Sequence, residues 1–75
     1  MYYFINLNKQ SNSSGGNYEI HEQNCHYCNA LNSNFHYLGY CSSEYEALLK
    51  AKRMFSHISK NIDGCFFCCK KIHKG

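Results

Sequence analysis

The sequence predicts a small two-layer α+β domain with a ββ-β-α-β order, in which three or four antiparallel strands are covered by one helix over residues 43–60. Short alternating segments at residues 2–8, 18–22 and 35–41 argue for strands, and a capped amphipathic stretch from Ser43 argues for the helix. A length of 75 residues leaves room for a single domain, residues 1–75, with one core.

In the first strand Tyr3, Ile5 and Leu7 share a side, and aromatic and β-branched residues dominate. Residues 9–17 are turn formers without a hydrophobic anchor, which predicts a mobile hairpin loop. Tyr18-Glu19-Ile20-His21-Glu22 resumes the alternation and pairs antiparallel with the first strand. The third segment puts Phe35 and Tyr37 on one face and His36, Leu38 and Tyr40 on the other, with Gly39 marking a bulge or a close approach.

Ser43-Glu44-Tyr45-Glu46 is a capping box, in which the Ser43 hydroxyl serves the third helical amide and the Glu46 carboxylate reaches back. Tyr45, Leu48, Ala51, Phe55 and Ile58, widened by Leu49 and Met54, form the apolar stripe. The helix is expected to end near Ser59 or Lys60, with Asn61 in a left-handed position and Asp63-Gly64 as a turn. Tyr3, Ile5, Leu7, Ile20, Leu48, Ala51, Phe55 and Ile58 are the expected core. Residues 65–69 return as a final strand or knuckle, and residues 70–75 form a basic C-terminal tail.

Hydrophobic residues make up 44% of the chain, but Trp and Pro are absent and aromatics reach 16%, so a few Tyr and Phe supply most of the buried area. A core this thin needs a staple. Six cysteines and five histidines offer one. Cys25 and Cys28 form one C-x-x-C pair, Cys65 and Cys68 a second followed by Cys69, and His73 lies four residues further on. Two such pairs can build a tetrahedral thiolate site, and zinc suits sulfur and imidazole donors, so Cys25, Cys28, Cys65, Cys68, Cys69 and His73 are the candidate ligands of one structural zinc. Buried reduced thiols and disulfides are the competing readings, and in an extended strand Cys65 and Cys68 would face opposite ways. Cys41, alone on its strand, reads as packing. His21, His26 and His36 read as surface residues.

The N-terminus lacks a basic region ahead of its apolar run, and no run approaches the roughly 20 residues that cross a bilayer, so a cytoplasmic protein with reduced thiols and no membrane partner is expected. There is no Gly-rich phosphate loop, the five carboxylates are scattered, and neither C-x-x-C sits in a thioredoxin-like βαβ frame, which argues against catalysis. Lys50, Arg53, His57 and Lys60 recur at intervals of three and four on the helix, and Lys70, Lys71 and Lys74 crowd the end. With a net charge of +3 these read first as solvated surface and second as a nucleic-acid face.

The pieces Tyr2-Tyr3-Phe4-Ile5-Asn6, Glu19-Ile20-His21, Cys25, Tyr37-Leu38-Gly39, Ala47, Ala51, Asp63-Gly64-Cys65, Cys68-Cys69 and His73 resemble a set of small uncharacterised bacterial proteins. That set has a Tyr-Tyr-x-x-Asn strand, a His-Glu-Val-His strand, a Tyr-Leu-Gly strand, a helix with spaced alanines and an Asp-Gly-Cys-x-x-Cys-Cys ending with a nearby His. The likeness departs at Tyr18, where the pattern has its first His, and at Ile72, where it has a further Cys. The resemblance implies the ββ-β-α-β layout and no known activity, and groups Cys25 with Cys65, Cys68 or Cys69, and His73, leaving Cys28 particular to this chain. The expected function is a non-catalytic binding module with a protein partner, stabilised by a Cys/His cluster. A nucleic-acid-binding regulator or phage-type inhibitor using the basic helix face is the first alternative, and a thiol redox protein the second.

Overall fold

The computed structural model describes residues 1–8 and 18–74, so the expected loop at 9–17 lies outside the described residues. Four strands, β1 (Tyr2–Asn6), β2 (Tyr18–Glu22), β3 (Phe35–Tyr40) and β4 (Ile62–Gly64), form one sheet in the order β3-β1-β2-β4. Helix α1 (Glu44–Met54) covers one face, and a 3₁₀ segment (Ser56–Asn61) joins it to β4. The α+β class and the helix-on-sheet layering are those the sequence predicts. The sheet is mixed rather than wholly antiparallel: β1 pairs antiparallel with β2 and β3, but β4 runs parallel to β2, with Tyr18 opposite Ile62 and Ile20 opposite Gly64. The α1 crossover between β3 and β4 permits this, since parallel neighbours need a long connection.

The alternation of β1 separates two environments. Tyr3 and Ile5 face the helix and join Ile20, Leu38, Cys41, Ala47, Ala51, Ile62, Cys69 and Ile72 in the core. On the other face Phe4 stands opposite His21 and Tyr37. A register shift at Tyr3/Phe4 leaves Leu38 as the extra residue of a bulge, beside Gly39 at φ 87°, and Leu38 is buried in the core. The simple alternation assigned to β3 therefore breaks at that point.

Helix α1 begins as expected. Ser43 Oγ accepts from the Glu46 amide at 3.1 Å, while the Glu46 carboxylate reaches one residue past the cap to the Ser42 amide (2.9 Å) and hydroxyl (3.1 Å). Those two donors, the amide first, hold the Glu46 carboxyl below its ordinary pKa. The buried face is centred on Ala47 and Ala51, one turn apart, which lets the helix lie close to the sheet. Leu48, Phe55 and Ile58 pack at its margin with Leu7, whereas Tyr45, Leu49 and Met54 of the expected stripe are exposed. The room they would have filled goes to Cys41, Cys69 and Ile72, which arrive from outside the helix.

The α-helical turns stop at Met54 rather than near residue 60, and no non-glycine residue among those described has positive φ, so Asn61 is not a left-handed cap. The chain has no space for a cap loop because β4 starts at Ile62. It covers the distance as 3₁₀ helix, whose rise per residue exceeds that of an α-helix.

Past β4 the chain folds back on itself. A Cβ on Gly64 would meet Cγ1 of Ile72 and sit 2.7 Å from the Cys69 carbonyl oxygen, so only glycine admits the return. Asp63 Oδ1 accepts from the Gly64 and Lys74 amides, both at 2.8 Å, and the Lys71 amide donates to Glu44 at 3.0 Å. The segment expected as a basic tail is thus tied to β4 and to the start of α1. No helix among the described residues is long and apolar enough to cross a membrane.

In urea denaturation Ser43→Ala is expected to cost about 1 kcal/mol through loss of the cap. Gly64→Ala should cost more, about 2–3 kcal/mol, because it overpacks a closed contact. Tyr45→Ala, on the exposed flank, should cost less than either.

Candidate metal centre

The β1–β2 register places His21 on the face of the sheet away from α1, where it is 2% exposed. The Phe35 ring lies 5.8 Å away. Its Nε2 is 3.8 Å from a Glu19 carboxylate oxygen, and its Nδ1 is buried with no hydrogen-bond partner among the described residues. The sequence reading put His21 on the surface, and the structure corrects this. Alternation does turn its side chain from the core, but two cysteine turns fold over that face and close it off.

The first turn follows β2 directly, with the Cys25 amide donating to the Glu22 carbonyl and the Cys28 amide to the Cys25 carbonyl, each at 3.0 Å. The second follows β4. The Cys65 amide extends the parallel pairing by donating to the Ile20 carbonyl at 2.9 Å, and the Cys69 amide closes the turn on the Cys65 carbonyl. Residues 65–69 are therefore a knuckle and not a strand. A turn lets Cys65 and Cys68 aim at one point, which an extended chain would forbid.

The donor atoms of His21, Cys25, Cys65 and Cys68 all lie within 4.8 Å of one another, a group that can hold a metal ion. The Cys25 and Cys65 sulfurs are 3.9 Å apart. That separation matches the edge of a tetrahedron with Zn–S bonds of about 2.3 Å, which is roughly 3.8 Å. The Glu22 amide donates to the Cys68 sulfur at 3.2 Å and the Phe67 amide to the Cys65 sulfur at 3.4 Å, donors that favour thiolate. Glu19 stands 3.8 Å from Nε2, longer than a hydrogen bond, and Nδ1 is unpartnered among the described residues, so the ring has an open nitrogen for a metal and a carboxylate near the other.

Of the residues singled out in the sequence, Cys25, Cys65 and Cys68 come together and Cys28, Cys69 and His73 lie outside the group. Cys28 is half-buried at the end of the first turn. Cys69 belongs to the core, its sulfur 3.7 Å from that of Cys68. His73 uses Nδ1 to donate to the Gly64 carbonyl at 2.9 Å, with Asp63 at 3.7 Å. Cys41 is buried in the core. The six cysteines are all free. His21 was not among the residues singled out, because its place in an alternating strand put it on the surface.

Burial pushes the Cys65 thiol up to about 12 and raises Cys25, while for Cys68 the hydrogen bond with the Cys69 thiol and then burial raise it. Burial lowers His21. At neutral pH all four groups are uncharged without an ion, the reverse of the depressed thiol on which redox C-x-x-C chemistry runs.

The basic residues are divided. Lys50 is half-buried, Arg53 is exposed on α1, and His57 and Lys60 stand exposed on the 3₁₀ segment, where the change from 3.6 to about 3 residues per turn breaks a single helical face. Lys70 and Lys71 are exposed beyond the second knuckle. No protein-family model, curated protein or solved structure matches the chain.

Cobalt(II) titration should give thiolate charge-transfer absorption at one ion per chain, unchanged in stoichiometry by Cys28→Ser. Glu19→Gln should weaken binding roughly 10- to 100-fold by loosening the imidazole. A loss of the signal in Cys28→Ser with none in Cys65→Ser would contradict this ligand set. The raised thiols also fix the sign of the pH effect: each coordinating cysteine gives up a proton and neutral His21 gives up none. Calorimetry near pH 7 in buffers of different ionisation enthalpy should therefore report about three protons released per ion, with affinity rising as pH rises.

Proposed function

We propose that the chain is a small non-catalytic binding module whose two cysteine knuckles are clamped by one structural zinc ion on His21, Cys25, Cys65 and Cys68, and that its partner is a protein. The observation that carries this reading is the convergence of those four donor atoms within 4.8 Å, drawn from β2, the turn after it and the turn after β4. Three sulfurs and an imidazole suit zinc better than magnesium or calcium, which take oxygen. Four protein ligands complete a tetrahedron and leave no position for a substrate, the pattern of structural rather than catalytic zinc.

A protein partner is supported by the rings around the centre: Tyr27, Phe66 and Phe67 are each more than half exposed, although large apolar residues at a surface commonly mark contact sites. Reduced thiols able to bind zinc fit a cytoplasmic location, and the resemblance to small bacterial proteins adds a shared Cys and His framework without assigning an activity.

The decisive measurement is metal content of protein purified under reducing conditions, expected at one zinc per chain. At zinc about 1,000-fold above its dissociation constant, binding should raise the melting temperature by about 15–30 °C over chelated protein. Equal melting temperatures with and without chelator would defeat the structural-zinc reading.

A further inference from the structure

The two knuckles do more than converge on four donors, because they also bring their rings into contact. Tyr27 of the first stacks on Phe67 of the second, with centroids 4.8 Å apart and planes 28° apart. His26 meets Tyr27 edge-on at 5.2 Å, and Phe66 meets both Phe67 and His73 at 5.3 Å. Tyr27, Phe66 and Phe67 nonetheless remain 53–59% exposed, so the stack closes nothing inside the chain.

A cavity of about 500 Å³ opens on one side of the Tyr27–Phe67 pair, with Glu22, Asn24 and His26 on its walls. A smaller one of about 210 Å³ is lined by the same pair, with Glu19 and Asn6 on its walls. Each contains a carboxylate, and neither is lined by a lysine or arginine among the described residues. Three thiolates on a divalent ion add one net negative charge beneath the rings. On a chain of net charge +3 this is a locally anionic aromatic surface.

We propose that this surface binds a basic segment of a partner protein, laying an arginine or lysine side chain over the Tyr27–Phe67 stack with Glu22 as its counter-ion. The inference rests on the zinc-clamped module proposed above and names the chemistry of its partner. The face of an aromatic ring attracts a cation, and a planar guanidinium also stacks on it. A neighbouring carboxylate adds a charge-assisted hydrogen bond. The larger cavity falls within the size range of side-chain and ligand pockets. Nucleic acid would also stack on these rings, but its phosphates would meet Glu19, Glu22 and the anionic centre rather than lysines.

The probe is a short Gly/Ser peptide with three spaced arginines, titrated into zinc-loaded, isotope-labelled full chain and followed by amide chemical shifts. Shifts should concentrate on residues 22–28 and 65–68. Glu22→Gln and Tyr27→Ala plus Phe67→Ala should each weaken binding by roughly 3- to 30-fold while retaining the cobalt spectrum. A citrulline version of the peptide should bind much more weakly. Equal binding by the citrulline peptide, shifts centred on α1 instead, or an oligothymidine strand that displaces the peptide from these amides would each overturn the proposal. A loaded protein that ignores the peptide sinks this inference alone, whereas a chain that takes up no metal sinks the module reading and this one with it.

Discussion

The short parallel pairing of β4 against β2 is the constraint from which the cysteine end of the molecule follows. It sets Gly64 opposite Ile20, and the next amide, that of Cys65, continues the ladder to the Ile20 carbonyl. A side chain one residue beyond the ladder is thereby delivered to the flank of β2, where His21 already points away from the core. The turn after β2 then has only to bend back for Cys25 to meet it. Because β4 is three residues long, this registration needs help. Gly64 admits the folded-back segment, Asp63 binds two amides across it, and Glu44 holds Lys71.

That arrangement gives the sheet two differently made faces. Toward α1 the contacts are apolar and close, with alanines at 47 and 51 meeting Tyr3, Ile5 and Ile20 in one cluster. On the other face Asn6, His21 and Asp63 are buried at 6%, 2% and 4% exposure, a polar set that a thin domain does not bury without a return. Asn6 accepts from the Asn8 amide and Asp63 from two amides, whereas His21 keeps one ring nitrogen unpartnered among the described residues. A buried imidazole nitrogen left open beside three sulfurs is costly as a packing choice and favourable as a ligand. The group able to hold a metal thus lies on the polar face, and the cysteines in the apolar core, Cys41 and Cys69, pack as small hydrophobic residues.

How much of this was legible varies with the range of the interaction. β1, β2 and β3 were found within a residue or two, as was the Ser43 cap, because alternation and capping are written in neighbouring residues. Three of the four grouped donors were among the cysteines marked by spacing. The fourth was of another kind: His21 had the pattern of a residue on the outward face of a strand, and nothing local says that the far end of the chain covers that face. Tyr40 was grouped with His36 and Leu38, but a bulge opposite Tyr3/Phe4 changes the parity after Leu38 and sets Tyr40 against Tyr2 on the other face. Asn61 and the last turns of the helix were misjudged because β4 starts at once and pulls the chain into 3₁₀ form.

By itself the sequence determined the α+β class, the strand and helix sites, the position of the helix start and the presence of more thiol and imidazole than a core of this size needs. Those are consequences of side-chain periodicity and local hydrogen bonding, which act over a few residues. The direction of β4, the burial of Ala47 beside the expected Ala51, and the grouping of His21 with Cys25, Cys65 and Cys68 were decided only in three dimensions. Each depends on which distant segment occupies the adjoining space, and that is settled by packing the whole chain at once rather than by any stretch of it.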